Sequence, residues 1–184
     1  MVLTVFLMSV TGICISQSAI PPLDKSPMDM CYYPVNYPIL KMQHKTDAPL
    51  IARVIYGRPQ KNDRSIFGDL VPYDMIWRVG ANEATEIEFF RDVKIDSKKM
   101  AKGRYTLYAI PSTDKWTLVL NKETDTWGAF AYDQKKDVLR TDVKVNTRPD
   151  VIDVFTISFE GTEKNKTSLM IGWDNKDVHL PISW

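Results

Sequence analysis

The sequence lacks the short motifs that mark the common enzyme and cofactor classes. It contains no HExxH or CxxC spacing for a metal, no glycine-rich phosphate loop and no GxSxG for a serine hydrolase. Its two histidines, His44 and His179, are far apart and belong to no ligand spacing. The sequence therefore indicates no metal and no cofactor, and the familiar metallohydrolase, nucleotide-binding and serine hydrolase signals are absent.

Cysteine is scarce, and neither sign of charge is in excess. Cys14 lies in an apolar N-terminal segment, so Cys31 has no disulfide partner in the rest of the chain and is either a buried apolar thiol or a reactive one. Lys and Arg number 24 against 23 Asp and Glu, for a net charge of +1. The chain thus lacks the basic field that binds nucleic acid. A hydrophobic content of 44% predicts a packed core, and the length of 184 residues suits one domain.

The first eighteen residues, MVLTVFLMSVTGICISQS, carry no charge and are apolar from Val2 to Ile15. Such a segment, ending in small polar residues, is typical of a secretory signal peptide. An apolar strand or a membrane anchor is the alternative, although the run is shorter than the ~20 residues of a span. Lipidation of Cys14 fits less well, because small residues are wanted directly before that cysteine. We expect a signal peptide over 1–18, export to the periplasm or cell surface, and no membrane span after cleavage.

Residues 19–38 hold five prolines and show no period, which predicts an extended arm along the domain surface.

From residue 39 onwards, short runs alternate apolar and polar side chains, and Gly, Pro, Asn and Asp separate them. The runs are ILKMQH, LIARVIYG, TEIEFFR, GRYTLYAIP, KWTLVLN, DVLRTDVKV, DVFTISFEG, TSLMIGW and VHLPISW. We expect LIARVIYG to be buried on both sides. This spacing predicts an all-β fold over 39–184, a single antiparallel β-sandwich of about nine to ten strands. We expect little or no helix, and only the segment near Asp133 can hold a helical turn.

Three arginines, Arg58, Arg64 and Arg78, fall in or beside turns of the stretch 53–91. A guanidinium in such a place can hold a carboxylate or a phosphate through two hydrogen bonds. Each arginine can equally pair with an internal acid and brace a loop. The acids considered for such pairs are Asp69, Asp74 and Glu83.

Asn82 and Glu83 emerge just before a strand-like run, where they can bind hydroxyls or a hard cation, or cap backbone amides in a turn. Glu83 is also the candidate general acid or base, although spacing identifies no titratable partner for it. Trp77 and Trp127 can offer ring faces to a sugar or an apolar ligand, whereas most aromatics of a β-domain are core. Gly128 follows Trp127, and this favours an exposed ring at a turn.

These side chains predict one small polar site in the loops. Its members are Arg58, Arg64, Trp77, Arg78, Asn82, Glu83 and Trp127. We expect a module that binds a small molecule or a glycan. One alternative is a hydrolase-type enzyme that uses Glu83 with an arginine. The other is a structural protein whose Pro-rich arm and edge strand bind a protein partner.

Four long blocks follow one another in the sequence: YGRPQKNDRSIFGDLVPYDMIWRVGANEATEIEF, KGRYTLYAIPSTDKWTLVLNK, WGAFAYDQKKDVLR and IGWDNKDVHLPISW. Together they resemble the bacterial exported family called domain of unknown function 2911. The resemblance implies an extracytoplasmic β-rich domain and brings no reaction with it. Where that family commonly has Lys-Gly-Arg before Ile-Phe-Gly, this chain has Asn62, Asp63 and Arg64, so it lacks a glycine turn there.

Overall fold

The structure of the protein, a computed structural model, describes residues 20–161 and 163–184. The predicted signal peptide over 1–18 lies outside these residues. Within them the chain forms ten strands in two antiparallel sheets and very little helix. The predicted all-β sandwich is therefore confirmed.

The strands and helices follow one another in a simple order. They are β1 (Met28–Tyr33), α1 (Tyr37–Met42), β2 (Ala52–Gly57), β3 (Glu86–Phe89), β4 (Val93–Ile95), β5 (Lys98–Met100), β6 (Gly103–Pro111), β7 (Lys115–Asn121), a 3-10 turn (Gln134–Lys136), β8 (Asp137–Lys144), β9 (Asn146–Glu160) and β10 (Lys166–Ser183). The larger sheet has the order β1-β2-β3-β6-β7-β8, and the smaller one β5-β4-β10-β9. No helix among the described residues is long and apolar enough to cross a membrane.

Alternating side chains place the core between the two sheets. In β7, Trp116, Leu118 and Leu120 belong to the main core, as the sequence predicts, while Val119 faces a smaller cluster on the outer side. In β2 the inward residues are buried, but Arg53 and Ile55 are half-buried, so this strand is not buried on both sides. The smaller sheet contributes side chains such as Phe155 and Trp173 to the same core.

The predicted runs TSLMIGW and VHLPISW both lie in β10, which bends back near Asp174 (φ 54°). The Trp184 amide donates to the Asn165 carbonyl oxygen at 3.0 Å, so the two ends of β10 meet. It pairs with β9 from Ser168 to Asp177, and Ser183 near its end pairs with β4. The bend brings Trp173 to one end of the sandwich, below the loop that follows β2.

The prediction of a strand over ILKMQH is wrong, because α1 occupies most of that run. This run of six residues is too short to separate a period of two from a helical period. Asn36 precedes the helix with a left-handed backbone, and Pro38 lies in the first turn, where its missing amide hydrogen leaves no bond unmade.

Part of the predicted extended arm is an integral strand. β1 pairs with β2 in antiparallel register from Met28 opposite Gly57 to Tyr33 opposite Ala52. It forms an edge of the larger sheet, the position at which flanking prolines are tolerated. The short strands β4 and β5 were not predicted from the sequence, because three residues are too few to show alternation.

Candidate functional site

A cleft of about 300 Å³ lies between the loop that follows β2 and the bend of β10. It takes in four residues of the predicted site, namely Arg64, Trp77, Arg78 and Asn82. Its other lining residues are Ser26, Pro59, Leu70, Val71, Gly80, Ala81 and Trp173. We call it the Arg78 cleft.

Trp77 forms a rigid wall of the Arg78 cleft and is not an exposed platform. Its ring is 7% exposed and packs edge-on against Trp116 at 5.7 Å and Phe155 at 5.5 Å. It also stacks on Trp173 with 6.4 Å between ring centroids. Its backbone exchanges two hydrogen bonds with Ala109 of β6, at 2.7 and 3.0 Å. The core and the larger sheet therefore fix the residue that directly precedes Arg78.

Two chain segments approach closely beneath the cleft, at Gly57 and Gly80. A Cβ on Gly57 would lie 2.3 Å from the carbonyl oxygen of Ala81, and one on Gly80 would lie 2.8 Å from the carbonyl oxygen of Gly57. Gly80 also has a φ of 143°, which favours glycine. Glycine is thus required at both positions, and the close approach fixes the backbone that carries Arg78.

The Arg78 guanidinium is half-buried and has no protein partner among the described residues. Its Nε is fully buried without a hydrogen bond, and no hydrogen bond or ion pair in those residues engages the rest of the group. Burial lowers the pKa of Arg78, although an arginine stays charged at neutral pH. An unsatisfied buried donor costs about 1–3 kcal/mol. An acceptor supplied by a ligand would remove that cost.

Arg64 adds a second positive charge at the cleft. Its Nε donates to the Lys61 carbonyl oxygen at 3.0 Å and its Nη2 donates to that of Gln60. These acceptors are neutral, and no carboxylate among the described residues forms an ion pair with Arg64. A neighbouring hollow of about 450 Å³ shares Ser26 and Arg64 with the cleft and adds Lys25. Neither cavity has an Asp or Glu in its described lining, so both are electropositive.

Arg58 lies outside the Arg78 cleft and has a complete set of partners. Its Nη1 donates to Asp29 Oδ2 at 2.8 Å, its Nε to the Phe155 carbonyl oxygen at 3.1 Å, and its Nη2 to Thr156 Oγ1 at 3.1 Å. These bonds join β1 to β9 across the two sheets. Arg58 therefore braces the fold, although its acid is not one of the three that the sequence suggested. Across the described residues none of the three arginines pairs with Asp69, Asp74 or Glu83.

Glu83 and Trp127 belong to a different part of the surface. Glu83 lines a groove of about 220 Å³, the Glu83 groove, and not the Arg78 cleft. A β-bridge pairs Glu83 with Trp127, whose ring is 62% exposed, as its place before Gly128 predicts. The Glu83 groove is lined by Met28, Ile55, Glu83, Ala84, Glu86, Arg104, Asp125 and Thr126. The predicted single site is thus distributed over three places.

Several lining residues of the Arg78 cleft were missed by sequence reasoning. Ser26 of the cleft, like Lys25 of the neighbouring hollow, lies in the proline-rich segment, where nothing local marks a site. Trp173 falls in a run recognised as a strand, but no local signal connects it with Trp77. The only available hint was the abundance of tryptophan, with five in the chain.

Cys31 and the metal-ligating side chains do not form a second centre. Burial raises the pKa of the Cys31 thiol to about 12, with a further contribution from the charge of Asp29, so this thiol is protonated at neutral pH. Among the residues that the structure describes, no group of His, Cys, Asp and Glu has an arrangement that could hold a metal ion.

The fold and the cleft define a β-sandwich domain with an electropositive loop site. The chain belongs to the family described as protein of unknown function DUF2911, whose model matches residues 40–182. This confirms the resemblance seen in the sequence blocks. Searches of curated proteins and of solved structures found no match.

Proposed function

We propose that this protein is an exported binding domain whose Arg78 cleft holds a small organic acid or phosphate-bearing molecule. The observation that carries the proposal is the Arg78 guanidinium, half-buried in a cleft without a partner among the described residues. Native proteins rarely leave such a donor unmatched. A carboxylate or phosphate oxygen would supply the missing acceptor through a charge-assisted bond.

The other walls of the cleft define the rest of the ligand. Leu70, Val71, Ala81 and the edge of Trp77 are apolar and suit a hydrocarbon or ring portion. The Asn82 side chain can orient a hydroxyl or a carbonyl group at the same cleft. The proposed ligand is therefore amphipathic, with one anionic end. Its affinity should fall with rising salt, since the charges at the cleft are partly solvated.

A thermal-shift screen with organic acids and phosphate monoesters tests this proposal. A ligand that binds only the folded state raises the melting temperature by mass action. We expect such a shift in the wild type and its loss in Arg78→Met, which keeps the apolar length of the side chain. Arg91→Met is the matched control, because Arg91 is exposed and lines neither cavity. An anion that stabilises Arg78→Met as strongly as the wild type would overturn the proposal.

Glu83 has no part in the proposed site, since it lines a different groove from Arg78. Among the described residues that line the Arg78 cleft there is no Asp, Glu or His, so the lining of this cleft does not support the hydrolase alternative. A pH profile of ligand affinity in Glu83→Gln checks this point. We expect the profile to match that of the wild type.

Export is supported by the uncharged, apolar leader over 1–18. A fusion of the chain to a phosphatase that is active only outside the cytoplasm tests it directly. We expect activity with the complete leader and its loss when the leader is deleted.

A further inference from the structure

Trp127 differs from the tryptophans of the core in being held out to solvent. Trp77, Trp116 and Trp173 are 7%, 1% and 1% exposed, whereas Trp127 is 62% exposed. Its position is nevertheless fixed by a β-bridge to Glu83. The flanking amides complete this short ladder, in which Ala84 N donates to Thr126 O and Gly128 N to Asn82 O, both at 2.9 Å. The exposed ring is therefore presented by ordered backbone.

Glu83 lies directly opposite Trp127 in this bridge. Bridge partners project to the same side with Cβ atoms about 4.5–5.5 Å apart. Glu83 is exposed, and no hydrogen bond or ion pair within the described residues engages its carboxylate. An unpaired negative charge thus lies beside an exposed indole.

The charges of the Glu83 groove make it electronegative. Arg104 is its one cation, and the guanidinium is already paired with Glu86 at 3.1 Å and with Asp125. Glu86 and Asp125 share this one guanidinium, so its charge balances only one of the two carboxylates, while Glu83 has no ion-pair partner among the described residues. Below these groups the groove has an apolar floor of Met28, Ile55 and Ala84.

We infer that Glu83 and Trp127 form a binding site for an organic cation, with an alkylammonium group held between the indole face and the carboxylate. Tryptophan is the best aromatic partner for such a cation. The neighbouring carboxylate compensates the charge, and the apolar floor of the groove accepts attached alkyl groups. A neutral sugar could also stack on the ring, but it would leave the Glu83 charge without a counterion. This site is separate from the Arg78 cleft and takes a ligand of the opposite charge.

Choline and its neutral isostere 3,3-dimethylbutan-1-ol test whether the site at Glu83 and Trp127 binds an organic cation or a neutral ligand such as a sugar. The pair has the same shape and differs in the positive charge, and glucose serves as the neutral sugar. Titration is followed in proton–nitrogen correlation spectra, in which the spectrum of Trp127→Leu assigns the Trp127 indole. We expect choline to shift this signal in a saturable way, and the neutral isostere and glucose to leave it in place.

Variants show whether the two named side chains carry the effect. Glu83→Gln and Trp127→Leu should each weaken choline binding by about tenfold, which corresponds to ~1.4 kcal/mol. Phe130→Leu is the matched control, because Phe130 is 89% exposed on the same loop but is not the bridge partner of Glu83. Its affinity should equal that of the wild type. Equal binding of choline and its isostere, binding of glucose alone, or no saturable shift at all would overturn the inference.

Discussion

Arg58 and Arg78 both lie in the loop region between β2 and β3, but the surroundings of their guanidinium groups differ. Arg58 donates three hydrogen bonds to Asp29, Phe155 and Thr156, and it joins the two sheets. Arg78 is half-buried in a cleft, and no described residue accepts a hydrogen bond from its guanidinium. The first arginine braces the fold, whereas the buried Nε of the second has no acceptor among the described residues. The position of an arginine in a turn therefore does not by itself tell whether its guanidinium braces the fold, and the surrounding acceptors have to be known as well.

The largest change in stability is expected for Trp77, which forms the wall between the Arg78 cleft and the core. Replacing Trp77 with Ala should reduce the free energy of unfolding by about 3–5 kcal/mol, because it removes a buried ring that contacts four other aromatics. Urea denaturation measures the loss. Trp127→Ala, which removes an exposed ring, should change stability by no more than about 0.5 kcal/mol. Similar losses in both variants would contradict the assignment of Trp77 to the core.

The next largest loss of stability is expected when Arg58, the arginine with hydrogen-bond partners, is replaced. Arg58→Met should lower the free energy of unfolding by about 2 kcal/mol, because it deprives Asp29 and the Phe155 carbonyl oxygen of their donor. The side chain is 32% exposed, so water replaces part of what is lost. The urea midpoint measures this loss. Arg58→Lys keeps the charge but not the three donors, and it should have an intermediate stability.

Asp177 on the smaller sheet extends the comparison to a carboxylate with a full set of partners. Its side chain is 3% exposed and accepts hydrogen bonds from Asn146 and from Arg148, both at 2.8 Å, while His179 lies 3.2 Å away. Burial alone would raise the pKa of Asp177, but the bonds from Arg148 and Asn146 and the nearby positive charges lower it overall. Its ionised form therefore stabilises the fold above the ordinary pKa of 3.8, and this contribution is lost as the pH falls below 3.8 and through the lower pKa of the folded state.

Asp177→Asn should accordingly lower stability at pH 7 by about 1.5 kcal/mol. The variant should also lose less stability than the wild type when the pH is reduced from 7 to 3. The difference between the two urea-unfolding series measures the contribution of the Asp177 carboxylate. Parallel curves over the whole range would show that Asp177 does not set the acid sensitivity.

The smallest expected change in stability comes from the unpaired arginine. Arg78→Met should leave the free energy of unfolding unchanged or raise it by up to about 1 kcal/mol, because an apolar side chain removes an unmatched buried donor. This sign is opposite to that of Arg58→Met. Chemical denaturation without ligand measures it. A loss as large as that of Arg58→Met would show that Arg78 also braces the fold.

Sequence patterns predicted the strands with long alternation and failed where local signals were short. β6 and β7 form at the predicted runs GRYTLYAIP and KWTLVLN, and the turn between them contains Ser112 and Asp114 as expected. α1 was mistaken for a strand, since ILKM fits either period. β1 was missed because prolines surround it, although an edge strand can end at a proline. The pattern of apolar and polar residues distinguishes a helix from a strand only when the run is long enough.

The candidate site was foreseeable only in its residue types. The sequence by itself determined a β-sandwich, a loop region rich in arginine, and a tryptophan exposed next to Gly128, because alternation and turn residues act over short distances. It could not determine that Asp29 and Phe155, which are 29 and 97 positions from Arg58, satisfy that arginine and leave Arg78 unpaired. Only the tertiary structure decided which charges have partners, because hydrogen bonds and burial depend on which distant strands meet.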